Sequence, residues 1–268
     1  MGFSYADWSG VFYPADMPTR NYLAYYSRIF KAVEIDSTFY CTPRPATVRR
    51  WAAVTPPDFK FCLKTPRQVT HDQGLLNAGA EMTAFLDSVR PLEARLGAIL
   101  LQFPPSFTAE RAGELVGFLQ SLPADTPFAV EVRDPSWYTP QRSSGPQGNG
   151  DYDPQAFADV LRELGVAWAA TEYPGLPRLI IPTADFLYVR WIGQHGAYPS
   201  HSYERVDRSA QLQAWWETIR ENADQFAEVY GFTNNDYAGF APATANRVKA
   251  LAGLPVEDLT PPQQGKLF

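Results

Sequence analysis

Two carboxylates, Glu34 and Asp36, interrupt the apolar run VEIDSTFY from Val33 to Tyr40. A plain core strand would carry valine or leucine at those positions. Successive side chains of a strand point to opposite faces. One parity of the run holds Val33, Ile35, Ser37 and Phe39, and the other holds Glu34, Asp36, Thr38 and Tyr40. The same alternation recurs downstream. Glu131 and Arg133 alternate with Val130 and Val132, Lys60, Cys62 and Lys64 with Phe59, Phe61 and Leu63, and Tyr188 and Arg190 with Leu187, Val189 and Trp191. Gln102 falls near the end of ILLQFP, and Asn234, Asn235 and Asp236 end GFTNND. Burying an unpaired charge costs on the order of several kcal/mol. Repeating that on strand after strand is sustainable only where the groups satisfy one another or bind something.

The chemistry open to such a set is acid–base work on an anion. Glu34 and Glu131 are candidate acid and base, as in any site built on paired carboxylates. Lys64, Arg133 and Arg190 supply cations, and arginine forks suit phosphate or carboxylate groups. His71 lies in the loop after FKFCLK and is a candidate for proton transfer. The expected catalytic residues are therefore Glu34, Glu131, Lys64 and His71. The expected substrate contacts are Asp36, Tyr40, Gln102, Arg133, Arg190, Asn234 and Asn235. With three histidines (His71, His195, His201) and no HExxH or CxxC, a multi-zinc site is disfavoured and no metal ligands are assigned. Magnesium on Glu34, Asp36 or Glu131 stays open, since hard oxygen ligands suffice. No phosphate-binding glycine motif and no G-x-S-x-G elbow is present, so no nucleotide cofactor or serine nucleophile is implied.

Such groups need strands to aim them. Seven short apolar runs, starting near Ala32, Phe59, Leu96, Pro127, Val166, Phe186 and Glu228, alternate with amphipathic helical patterns. The helices are expected near 19–30, around Val48 and Trp51, and at 78–95, 109–122, 154–164, 210–226 and 242–251. Asp153-Pro154 reads as an N-cap followed by proline at the first helical position. This alternation predicts a parallel α/β sheet, and seven strands in one chain favour a closed TIM (β/α) barrel over residues 1–268 as a single domain. The polar groups at the strands' C-terminal ends would then converge on the barrel's C-terminal mouth. The glycine-rich stretch 141–150 is long for a strand-to-helix connection and is expected to be a flexible loop closing over the mouth. Residues 255–268 read as a loose tail.

Composition limits the function classes. With 45% hydrophobic residues the chain can build a sizeable core. A net charge of −6 and a pI near 5.1 argue against tight non-specific binding to duplex DNA. Cys41 and Cys62 imply no disulfide framework. The start MGFSYADWSG has neither a basic nor an apolar leader region, and no apolar run approaches the ~20 residues that span a bilayer. The expected location is the cytoplasm. Among the aromatic residues, Trp8, Tyr13, Tyr40, Trp137, Tyr138 and Tyr173 fall near strand ends or loops, where rings can stack on a sugar or base. Trp51, Trp168 and Trp215 read as packing residues.

Several motifs in fixed order carry a resemblance. Trp8 to Pro14 (WSGVFYP) is followed by VEIDSTFY and then by Trp51 to Lys64 (WAAVTPPDFKFCLK). Next come Thr70-His71, Gln102 to Pro105, Glu131-Val-Arg133, Tyr188-Val-Arg190, His195-Gly196 and Asn234-Asn235. In that order they resemble the YecE-like family, domain of unknown function 72, from Gly2 to about Leu254. The resemblance implies a TIM barrel and supplies no reaction. Two departures stand out: only Met1 to Tyr5 stands in place of a full first strand, so either the true start lies upstream or a truncated or missing first strand is expected, and Asp36 stands where the family often has Asn. The expectation is an enzyme of the hydrolase, lyase or isomerase kind acting on a small anionic ligand, phosphorylated or carboxylated and sugar- or nucleotide-like. Two alternatives stay open. One is nucleic-acid processing of the endonuclease IV type, by fold analogy alone; the other is ligand binding without turnover.

Overall fold

Strand and helix alternate along the computed structural model, which describes residues 1–72, 74–142 and 151–259. The strands are β1 (Ala32–Ile35), β2 (Lys60–Lys64), β3 (Leu96–Gln102), β4 (Phe128–Glu131), β5 (Ala167–Trp168), β6 (Ala170–Glu172), β7 (Phe186–Trp191) and β8 (Glu228–Thr233). The helices are α1 (Tyr22–Ile29), α2 (Pro45–Val54), α3 (Gly79–Val89), α4 (Ala112–Gln120), α5 (Pro154–Leu164), α6 (Ser209–Glu221), α7 (Asn235–Ala238) and α8 (Ala241–Leu251). Each expected strand is found, and the fifth is split into β5 and β6. All pairing between these strands is parallel, in a five-stranded sheet β1-β2-β3-β4-β5 and a three-stranded sheet β6-β7-β8. The protein is thus a mixed α/β fold whose two sheets do not join in one unbroken ladder.

Two short seams link the sheets. Ala169 separates β5 from β6, and its amide donates to Val130 O at 2.8 Å, so one strand pairs with β4 and then with β7. At the other seam the Met1 nitrogen donates to Thr233 O at 2.6 Å and the Gly2 amide to Glu34 O at 2.7 Å. Residues 1–5 form no strand, but their first two nitrogens bridge β8 and β1.

Local sequence explains the elements. In α5 the Asp153 carboxylate accepts from Gln155 N at 2.9 Å, Pro154 opens the helix, and Gly165 at φ 65° closes it. Strand parity sorts the core. Val33, Ile35, Phe61, Leu63, Val130 and Val132 belong to the large cluster packed under helices. Cys62, Ala98, Leu100, Ala129, Ala167 and Tyr188 form a separate cluster on the opposite face. On β7, Leu187, Val189 and Trp191 pack with Leu212, Trp215 and Ile219 of α6.

The alternation fails in one informative place. The run from Val33 stops being a strand at Ile35: Asp36 is helical (φ −79°, ψ −22°) and Ser37–Phe39 is a 3-10 turn. The Thr38 hydroxyl lies 2.8 Å from Ile35 O and 2.7 Å from Lys64 O, so the turn is fastened over the ends of β1 and β2. Tyr40 consequently leaves the Glu34 face and is 76% exposed. The expected loop 141–150 lies outside the described residues from 143 onward. Its base is pinned by Gln141 and Tyr152, whose amides donate to each other's carbonyls at 2.9 Å. Of the expected tail 255–268, residues 255–259 are irregular coil and the rest lies outside the described residues. No described helix is long and apolar enough to cross a membrane.

The exits of β7 and β8 are pressed together. Asn234 N donates to Trp191 O at 2.8 Å. Gly193 has φ +72°, and a Cβ there would come within 2.2 Å of Asp236 O. Gly193→Ala should therefore destabilise by roughly 2–4 kcal/mol through strain and backbone clash, seen as a lowered urea midpoint. A midpoint equal to wild type would mean the turn has another conformation open to it.

Candidate functional site

The central group is Arg190, on β7. Its Nε donates to Glu34 Oε2 at 2.9 Å and its Nη2 to Glu34 Oε1 at 2.7 Å. Its Nη1 donates to Glu131 Oε2. Glu34 also accepts from the Tyr188 hydroxyl at 2.6 Å, and Glu131 Oε1 accepts from Arg133 Nε at 2.6 Å. Glu34 and Glu131 lie on β1 and β4 of one sheet and Arg190 on the other, so the two sheets face each other across this cluster. Glu34, Glu131 and Arg190 are at most 2% exposed.

This network is balanced, with two carboxylates against two guanidiniums. Burial works to raise the Glu34 carboxyl, but the charge and hydrogen bonds of Arg190 outweigh it and hold it below the usual carboxylate range. Glu131 is held down against burial in the same way, by Arg133 and Arg190. Both expected acid–base carboxylates are therefore locked as anions whose oxygens are already taken. Arg190 also occupies the place a cation would take between them. Among the described residues no group of three or more His, Cys, Asp or Glu side chains is placed to hold a metal ion.

A second, accessible layer sits at the edge of this one. The Asp36 side chain is about one-third exposed and lies 3.7 Å from Arg190 Nη2. Burial and then the Glu34 charge push its carboxyl up to about 6. The Lys64 ammonium, at the end of β2, lies 3.8 Å from the Phe39 ring centroid. Burial, then Arg190, lowers it to about 8. His71 sits on a π-turn, Gln68–Asp72, with its ring edge against Phe39 at 4.8 Å and its Nδ1 2.8 Å from the Thr70 hydroxyl. Burial, then Lys64, Arg67 and Arg133, lowers it to about 4, so the ring is neutral. Arg133 covers Tyr173 at 4.8 Å. Asp36, Lys64, His71, Arg133 and Tyr173 thus lie near one another around the C-terminal ends of the strands.

Other expected contacts are engaged or placed elsewhere. Gln102 is buried and donates to Phe103 O at 2.5 Å. Asn234 caps α7 by accepting from Asp236 N at 3.1 Å, and buried Asn235 accepts from Ala241 N at 2.9 Å. Tyr40 stands outside on its turn. Trp8, Tyr13 and Trp137 are fully buried, so they offer no ring to a ligand; packing against neighbouring aromatics claims them.

Sequence reading placed Asp236 at the end of the last strand but gave it no role, and it missed the partners gathered around it. Asp236 lies 3.3 Å from His201 Nε2 and 3.6 Å from His195 Nδ1, and accepts from Gly196 N at 3.2 Å. His201 N in turn donates to Asp7 at 2.9 Å. Asp236 follows the Asn-Asn pair, which was the available signal; nothing in the spacing of His201 points to it. Tyr5 joins this flank to Asp36: burial, then the charges of Asp36, Glu34 and Asp236, raises its hydroxyl.

Removing one partner of a buried charge network leaves the others uncompensated. Arg190→Met should therefore destabilise by about 3–5 kcal/mol, and Glu34→Gln should also destabilise. Equilibrium urea unfolding checks both. Wild-type stability in both variants would show that the network does not join the sheets.

Comparison with known proteins agrees with this fold. The family model described as "Protein of unknown function DUF72" matches residues 1–266. The UPF0759 protein YunF of Bacillus subtilis is 32% identical over 276 residues, covering 94% of this chain and 93% of that protein. The UPF0759 protein YecE of Escherichia coli is 38% identical over 113 residues, a stretch that spans 42% of each. A crystal structure of a DUF72 family protein from Thermotoga maritima superposes with a TM-score of 0.75 at 30% identity, over 94% of this chain and 96% of that one. Another, from Enterococcus faecalis, gives 0.69 at 21% identity over 98% of both chains, a likeness of fold alone. The chain belongs to the DUF72 family.

Proposed function

We propose that the chain is a (β/α) barrel enzyme acting on a small anionic, polar molecule at the C-terminal mouth, with Asp36 as the proton-transferring group and Lys64 and Arg133 as anion contacts. The barrel reading is supported by the two seams between the sheets and by the Glu34–Arg190–Glu131 bridge across the interior. The observation that carries the functional reading is the accessible Asp36 and Lys64 pair beside a network whose own charges cancel. A carboxyl near 6 and an amine near 8 lie close to neutral pH, where a general acid or base works best. The Lys64 ammonium takes no hydrogen-bond acceptor among the described residues, so its donors are free for an anion. His71, neutral at pH 7, adds a donor or acceptor without adding charge. Glu34, Glu131 and Arg190 position and polarise these groups rather than meeting substrate.

The pH dependence of ligand affinity follows from the two shifted groups. Below about 6 Asp36 is protonated and repels no anion, so binding is strongest there. Above about 8 Lys64 is neutral and binding falls again. Two declines with rising pH are expected, read by thermal shift against phosphorylated and carboxylated sugars and nucleotides. Asp36→Asn should remove the lower step and abolish turnover while retaining binding. Lys64→Met should remove the upper step and weaken binding about tenfold or more. Ligand binding, turnover and pH profiles like wild type in both variants would rule the mouth out.

A further inference from the structure

A cleft of about 450 Å³ opens beside the mouth, between the ends of β6 and β7 and the helix α6. That volume falls within the ~300–1,000 Å³ that small-molecule sites span. It shares a wall with the mouth, because Tyr173 lines the cleft and also lies under Arg133. Two guanidiniums line it. Arg178 lies 5.9 Å from the Trp215 ring, and Arg208 lies 5.3 Å from the Tyr237 ring and donates from Nε to Tyr237 O at 3.0 Å. Neither has a carboxylate partner among the described residues, although acidic residues outnumber basic ones, 29 to 23, in this chain. Both keep free N–H donors.

The carboxylate in the lining, Glu172, is engaged by the Tyr237 hydroxyl at 2.8 Å.

We propose that this cleft is a second anion subsite, in which Arg178 and Arg208 hold a phosphate or carboxylate group. Guanidinium forks match such oxyanions. The Trp215 and Tyr237 rings beside the guanidiniums favour cations at these positions. The subsite does not require the mouth chemistry to be correct.

The test isolates the cleft by working in full-length Lys64→Met protein, in which the mouth has lost its accessible ammonium. Inorganic phosphate, and acetate in a parallel arm, are titrated by calorimetry at low salt. Phosphate or acetate should still bind, with the better ligand naming the group the cleft prefers. Adding Arg178→Glu, an exposed side chain whose replacement should leave the fold intact, should weaken that binding about tenfold or more. Arg208→Met should do the same, with urea unfolding confirming that each variant is folded. No binding of either anion to Lys64→Met would overturn the subsite and leave the mouth reading standing if wild type binds. Equal affinity with and without Arg178→Glu would also overturn it, by locating the anion elsewhere.

Discussion

The arginine held between two buried carboxylates is the constraint on which the rest of the structure depends. Arg190 reaches from β7 to Glu34 on β1 and Glu131 on β4, so the two sheets must keep their distance and register for its guanidinium to be satisfied. Two anions around one cation would leave a charge deep in the interior. Arg133 removes it by pairing with Glu131. A balanced cluster of this kind is weak evidence for stability, since apolar packing of equal volume does as well or better. What it does supply is orientation: a guanidinium with its donors committed cannot rotate away.

That commitment sets the chemistry of the rim. Because Arg190 is shared with Glu34 and Glu131, it gives Asp36 only a 3.7 Å contact. The carboxyl at 36 then feels burial and the Glu34 charge more than it feels Arg190, and its proton is retained to higher pH. Lys64 is displaced in the opposite direction by burial and by the same guanidinium. One network therefore moves an acid up and a base down toward neutral pH. The position of both groups relies on modest local devices. Thr38 fastens the turn carrying Asp36 over the end of β2, and Phe39 from that turn lies beneath the Lys64 ammonium. With asparagine at 36 the rim would keep its shape and lose its proton.

Parity made much of this visible in the chain. Alternation on β1, β2, β4 and β7 assigned one face to helices and the other to Glu34, Cys62, Lys64, Glu131, Tyr188 and Arg190, and the two clusters divide along that line. The same rule misplaced Tyr40, because it assumes a strand that continues, and the strand ends at Ile35. A three-residue turn has no periodicity to read. Roles were less legible than faces. Glu34 and Asp36 look equivalent in sequence, yet one is sealed by Arg190 and the other is partly open. That difference is made by a residue more than 150 positions away. Asn234 and Asn235 likewise read as ligand contacts, because a capping amide and a binding amide share one residue type. The flank formed by Asp7, His201 and Asp236 depends on long-range pairing that spacing does not encode.

If the proposed anion site is correct, an acidic chain with a cationic rim would select for ligand size. The chain carries a net charge of −6, while Lys64 and Arg133 lie together at one rim and Arg178 and Arg208 in the cleft beside it. At physiological salt, exposed charges farther apart than ~8 Å are largely screened from one another. A small anion seated at the rim therefore responds to the nearby cations and is nearly blind to the remaining acidic surface. A nucleic acid cannot be treated that way. Duplex DNA presents a charge about every 1.7 Å along its axis, so its backbone would extend beyond the rim over a chain in which acidic residues outnumber basic ones. On the proposed reading, a charge distribution that would admit a single phosphate or carboxylate would disfavour a polyanion, and the distinction would come from reach rather than from the identity of any one side chain.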